Sequence, residues 1–154
     1  MKAENIYQVF DWLWSSGQLS VEDISELPKL GIKHVINLAV PTSNNALAGE
    51  AELISNLGIN YFQIPVIWDS PDVAKLKTFI QLLSSLNGQK TWVHCAKNMR
   101  VSAFIYLYRL FYVGESDAAA SFPMNEIWEP NEVWSEFIRT AKNAFDDGTL
   151  KMSA

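Results

Sequence analysis

The sequence predicts an α/β fold: three layers, with a central, mostly parallel sheet of about four or five strands flanked by helices. Three observations predict it. Short β-rich runs alternate with helical stretches from Trp12 to His94, the pattern of βαβ units. The stretch Val101–Val113 (VSAFIYLYRLFYV) is apolar all round, which marks a helix buried in the middle of the molecule. The 154 residues show no repeat, linker or low-complexity block. At about 150 residues per domain they make a single domain, 1–154.

Each element has its own signal. Trp12–Ser16 reads as a strand ending at Gly17. Ser20 is an N-cap with Asp23 three residues on, an approximate capping box. The helix it opens runs to about Leu30, with apolar Val21, Ile24, Leu27 and Leu30, a Pro28 that shortens or kinks it, and Gly31 at C′. Lys33–Val40 is a buried strand, Pro41–Asn45 is turn chemistry, and Ala46–Leu57 is a helix ended by Gly58. Ile59–Val66 is the next strand. Ser70 then caps a helix with Pro71 at N1, running to Leu86 with a 3.6-residue apolar stripe. Asn87-Gly88 ends it, and Lys90–His94 is a strand. After the apolar helix come a short helix, Glu115–Phe122, and an amphipathic one, Asn131–Phe145, with Val133, Trp134, Phe137, Ile138 and Ala141 inward. The tail from Asp146 is expected to fray.

Composition excludes several classes of function. Hydrophobic residues make up 49% and charged residues 19%, which is globular and not disordered. Twelve basic against 17 acidic residues give a net charge of −5, contrary to a nucleic-acid surface. No apolar run reaches the roughly 18 residues of a membrane span. Met1–Phe10 lacks the charged-then-apolar pattern of a signal, so a cytoplasmic protein is expected. A single cysteine, Cys95, forms neither an internal disulfide nor a cysteine-based zinc cage. No metal and no cofactor are expected. Cys95 remains an inert core residue, a reactive thiol or a nucleophile.

The chemistry sits at Trp92–Ser102 (WVHCAKNMRVS). A strand delivers Cys95, a tight loop follows, and a buried helix begins within a turn. The helix N-terminus carries unpaired N–H groups and the positive end of the dipole, which suits an anion. The same field favours a thiolate, and Arg100 supplies a planar fork for two oxygens of an oxyanion. A thiolate facing a bound oxyanion is arranged for nucleophilic attack.

Val93-His94-Cys95, then a loop, an Arg and a Ser, resembles the signature of the cysteine-dependent protein tyrosine and dual-specificity phosphatases. Gly31–Leu38 and Gly58–Val66 resemble the two preceding strands of the smaller, dual-specificity-like members, and Ser16-Gly17-Gln18 resembles a bacterial branch. The resemblance covers about Trp14 to Val113. It implies hydrolysis of a phosphomonoester, phosphotyrosine-like or a small molecule, through a cysteinyl-phosphate. It implies Cys95 as nucleophile, Arg100 as phosphate clamp and Ser102 as the hydroxyl that helps the thiol leave. The loop Ala96, Lys97, Asn98, Met99, Arg100 and Val101 would hold the phosphate. An aspartate on an earlier loop would protonate the leaving oxygen. Asp69 and Asp72 are the candidates, and Asp72 also suits the first turn of a helix. His94 is expected to support the thiolate's surroundings. The implied partner is a phosphate-bearing small molecule or phosphoprotein, with neither nucleic acid nor membrane.

The family has five residues between Cys and Arg, with Ser or Thr directly after. This chain has four, and Val101 separates Arg100 from Ser102. Without a gap, Asn98 takes a glycine position, as a residue that tolerates φ > 0, and Val101 replaces the arginine. With a one-residue deletion, Arg100 is the family arginine in a tighter loop. The shorter loop also resembles that of the rhodanese-type sulfurtransferases, which carry sulfur as a cysteine persulfide. A non-catalytic oxyanion-binding module is the third reading.

Overall fold

Five short strands carry the fold in the computed structural model, which describes residues 1–151: β1 (Tyr7–Phe10), β2 (Leu13–Ser16), β3 (His34–Asn37), β4 (Asn60–Gln63) and β5 (Thr91–His94). They form one sheet in the order β1-β2-β5-β3-β4. β5 is central, parallel to β2 on one side and β3 on the other; β3 and β4 are also parallel. Only β1 runs antiparallel, folding back on β2. This strand is additional to the sequence reading: Tyr7–Phe10 is half-exposed and edge-lying, so it lacks the buried apolar run that marks the inner strands.

Successive side chains on a strand point to opposite faces, and β3 and β5 show it. Val35 and Trp92 belong to one core cluster, with Leu19, Ile24, Leu27, Ile54 and Ile59. Ile36 and Val93 belong to the other, with Leu76, Phe79, Phe104, Trp134 and Phe137. The first lies under α1 (Val21–Glu26) and α2 (Glu50–Asn56), the second under α3 (Val73–Ser85), α4 (Met99–Tyr108) and α7 (Glu132–Asp146). Two short helices, α5 (Asp117–Ala120) and α6 (Met124–Ile127), connect α4 to α7.

Several boundaries differ from the sequence reading. The capping box of α1 is present, with Ser20 and Asp23 bonded reciprocally, but the α-helix stops at Glu26 and Leu27–Leu30 tightens into a 3₁₀ turn around Pro28. Val21 and Leu30 are exposed. α2 begins at Glu50, not Ala46, because Gly49 turns left-handed at φ 76. Asp72, not Ser70, caps α3, its carboxylate accepting from Lys75 N at 2.8 Å. The buried helix starts at Met99 and relaxes into a π-helical turn over Arg109–Val113. Val133 faces outward while Trp134, Phe137 and Ala141 are buried. The tail packs as far as Leu150, which is 4% exposed and donates its N–H to Ala144 O; the remainder of the expected frayed segment, 152–154, lies outside the described residues. Among the described residues no helix is long and apolar enough to cross a membrane.

Candidate active site

The carboxyl end of β5 is the floor of the site. Because β5 is central, Cys95 emerges between the ends of β2 and β3 and is only 1% exposed. A cavity of about 370 Å³ opens above it, lined by Asn44, Trp68, Cys95, Ala96, Lys97, Met99 and Arg100. Its two charged lining residues, Lys97 and Arg100, are both cationic.

The loop turns at Asn98, which is left-handed (φ 67, ψ 13) and caps α4. That turn sets Arg100 on the cavity side and sends Val101, fully buried, into the core. Of the two positions the sequence left open for a cavity-facing side chain, Arg100 lines the cavity and Val101 does not. Arg100 Nη1 donates to Val66 O at 2.9 Å, which fixes a side chain only 5% exposed.

The loop's carbonyls are held from outside. Ala96 O accepts from Gln18 N (3.0 Å) and Asn45 Nδ2 (3.1 Å). Lys97 O accepts from Asn5 Nδ2 (3.0 Å), and Asn98 O accepts from Ser102 N (3.1 Å). Gly17 and Lys97 form an isolated antiparallel bridge. In contrast, among the described residues no group accepts from the N–H groups of Ala96, Lys97, Met99, Arg100 or Val101. Free donors at the positive end of a helix, beside two cationic side chains, are the arrangement that attracts an anion.

Behind the floor lies a buried polar relay. His94 Nδ1 lies 3.2 Å from Cys95 O, so that nitrogen carries a proton and donates it. Nε2 is 2.5 Å from Glu50 Oε2, and Glu50 Oε1 accepts from Gln18 Nε2 at 2.5 Å. Tyr61 stands beside Glu50; burial first, and then the Glu50 charge, push its phenol up to about 12, against the opposing bond from Asn37 Nδ2.

The remaining predicted residues lie around this centre. Ser102 is buried, donating its hydroxyl to Met99 O (3.0 Å) and accepting from Trp128 Nε1 (3.1 Å). Asp69 is exposed, directly after the wall residue Trp68, while Asp72 is engaged in capping α3. The side chain of Asn98 turns away from the cavity, its Nδ2 donating to Asn5 O (2.8 Å) and Ser15 Oγ (3.0 Å). Trp68, Trp128 and Trp134 pack in tilted and edge-on pairs with ring centroids 5.5–6.0 Å apart, which stiffens the wall that Trp68 contributes. Glu50, Asn5 and Asn45 are site residues that the sequence did not reveal. An acidic residue at a helix start and asparagines in turns carry no mark of what they will face. Among the described residues no group of three or more His, Cys, Asp or Glu side chains is arranged to hold a metal ion.

No family model matches the sequence. No curated protein matches it either. Solved structures do. A crystal structure of a DUF442 phosphatase candidate from Shewanella putrefaciens CN-32 is 30% identical at a TM-score of 0.82, covering 92% of this chain and 90% of that one. P. aeruginosa TpbA is 20% identical (TM-score 0.73), covering 98% of this chain and 92% of its own. The core catalytic domain of the S. cerevisiae PP-IP phosphatase SIW14 is 16% identical (TM-score 0.69), covering 100% and 99%. The last two share the fold. The first shares sequence as well over nearly the whole length, and with it the chain belongs to the superfamily of cysteine-dependent protein tyrosine and dual-specificity phosphatases, in its small bacterial branch, with a cysteine loop one residue short.

Proposed function

We propose that the protein is a phosphatase that hydrolyses a phosphomonoester through a cysteinyl-phosphate on Cys95. The observation that carries this reading is the cavity itself: a thiol at its floor, Arg100 and Lys97 in its walls, and loop N–H groups left free to face an anion. The Cys95 thiolate attacks phosphorus, an S–P bond forms, and the P–O bond to the leaving group breaks. Arg100 and the amides from Ala96 to Val101 hold the three non-bridging oxygens as charge develops on them. Asp69, on the segment that follows Trp68, gives its proton to the leaving oxygen. Asp72 is the weaker choice because its carboxylate already caps α3. Water then attacks phosphorus, the S–P bond breaks, the electron pair returns to sulfur, and Asp69 recovers a proton from that water. Ser102, whose hydroxyl donates to Met99 O, is the hydroxyl that would help the thiol leave. The structure of TpbA in complex with pTyr supports an aryl phosphate as the first substrate to try.

The experiment is phosphate release from an aryl phosphate. Cys95→Ser is expected to abolish release while retaining phosphate binding, seen as a phosphate-dependent rise in melting temperature. Asp69→Asn is expected to slow release about 10²–10⁴-fold, the range for loss of a positioned general acid. Wild-type protein without Cys95-dependent turnover overturns the proposal. A sulfur atom's added mass on Cys95 after incubation with thiosulfate would then favour the sulfurtransferase reading that the four-residue loop suggests.

A further inference from the structure

We infer that Asn5, far from the cavity in sequence and absent from its lining, is a positioning residue for the oxyanion loop; this rests on the anion-binding reading of that loop. Three observations carry it. The first is reciprocity. Asn5 Nδ2 donates to Lys97 O (3.0 Å), and Asn5 O accepts from Asn98 Nδ2 (2.8 Å). One residue therefore grips the loop on both sides of its turn.

The second is exclusivity. A planar peptide unit points its C=O and N–H in opposite directions, so a carbonyl held outward fixes the plane of the whole unit. Ala96 O has two donors, Gln18 N and Asn45 Nδ2. Lys97 O has the Asn5 amide, with no backbone donor among the described residues. The Lys97–Asn98 unit leads directly into the left-handed turn from which Met99 and Arg100 spring.

The third is that the tie is kept in spite of its cost. Asn5 and Asn98 are both left-handed, with φ 52 and φ 67, a region open to few residues besides glycine and asparagine. Placing Asn98 Nδ2 on Asn5 O leaves Asn98 Oδ1 buried without a partner. The segment that carries Asn5 is anchored independently: Gly17 N donates to Glu4 O (2.8 Å), and Lys2 N to Asp23 Oδ1 of the α1 capping box (2.6 Å). The brace thus connects the loop to a second fixed point and does not hang from a free strand of chain.

The test is Asn5→Asp, which keeps the size, the backbone acceptor for Asn98 and tolerance of the left-handed conformation, but sets an oxygen against Lys97 O. Asn5→Gly, which keeps the backbone freedom and removes the amide, is the second variant should the first fail to fold. Turnover of p-nitrophenyl phosphate and the melting shift produced by inorganic phosphate are measured on both, with Cys95→Ser as background for the binding arm. The expected result is a fall of about tenfold or more in kcat/KM and a matching loss of phosphate affinity, with the ligand-free melting temperature held. Phosphate affinity and kcat/KM within twofold of wild type overturn the inference. So does a loss explained entirely by a lower ligand-free melting temperature. If wild type lacks turnover but binds phosphate, the phosphatase reading fails and the binding arm still decides for or against Asn5. If it binds no phosphate, both fail.

Discussion

Gly17 shows how little space surrounds the loop from Cys95 to Arg100. A Cβ added there would lie 2.7 Å from Ala96 O, 3.2 Å from Lys97 Cα and 3.3 Å from Glu4 O, all backbone atoms. None can swing aside as a side chain would, so the loop itself must shift. Gly17→Ala is expected to cost about 1–3 kcal/mol of stability, typical of overpacking, and to weaken phosphate binding at the same time. Thermal melting with and without phosphate measures both. At this scale the sequence was legible in part. That Cys95 and Arg100 would line one cavity could be read because a strand, a loop and an apolar helix surround them in order. The register of Arg100 against Val101 could not, since it depends on how tightly the chain turns at Asn98. Glu50, which reaches His94 across 44 positions, and Asn5, which reaches Lys97 across 92, were silent because their roles depend on distant neighbours.

Among the elements, α3 separates the two candidate acids. Asn serves as an N-cap about as well as Asp. Asp72→Asn should therefore change the melting temperature little and leave turnover near wild type, whereas Asp72→Ala should cost about 1 kcal/mol of helix stability. Loss of turnover in Asp72→Asn, with Asp69→Asn active, would reverse the roles proposed above. The start of α3 was misread because Ser70-Pro71 offers an equally good cap signal two residues earlier, and only Asp72 has its side chain over Lys75 N. The early end of α1 had a visible cause in Pro28. β1 had none, since hairpin edges carry weak periodicity and its partner strand alone decides that it pairs.

For the molecule as a whole, alkaline pH is the informative axis. Burial, with the nearby charges of Glu50 for Tyr61 and of Tyr112 and Glu115 for Tyr108, pushes both phenols up to about 12 from an ordinary value of 10.0. A folded-state pKa above the unfolded one stabilises the fold fully below the unfolded value, and that contribution is lost as pH rises through the folded one. Melting temperature should hold to about pH 10 and fall between about pH 10 and 12. Replacing Tyr61 by Phe should flatten part of that fall. A decline of equal depth in the Phe variant would remove Tyr61 from the account. The α/β class, the parallel sheet and the single buried helix were legible because they depend on apolar periodicity, which each segment carries in itself. The strand order was not, because it is a property of the pairings.

That order has a kinetic consequence. β5 lies fifth in the chain but third in the sheet, and the groups converging at its end come from Asn5, Gln18, Asn45, Val66 and Arg100. The contacts from Asn5, Gln18, Asn45 and Val66 each close a long loop of chain, and such contacts form slowly. During refolding, anion binding should return in the final phase and not before it, and each truncated nascent chain ending before β5 is inert. Until β5 has found its place between its two neighbours, Cys95 has no cationic cavity above it.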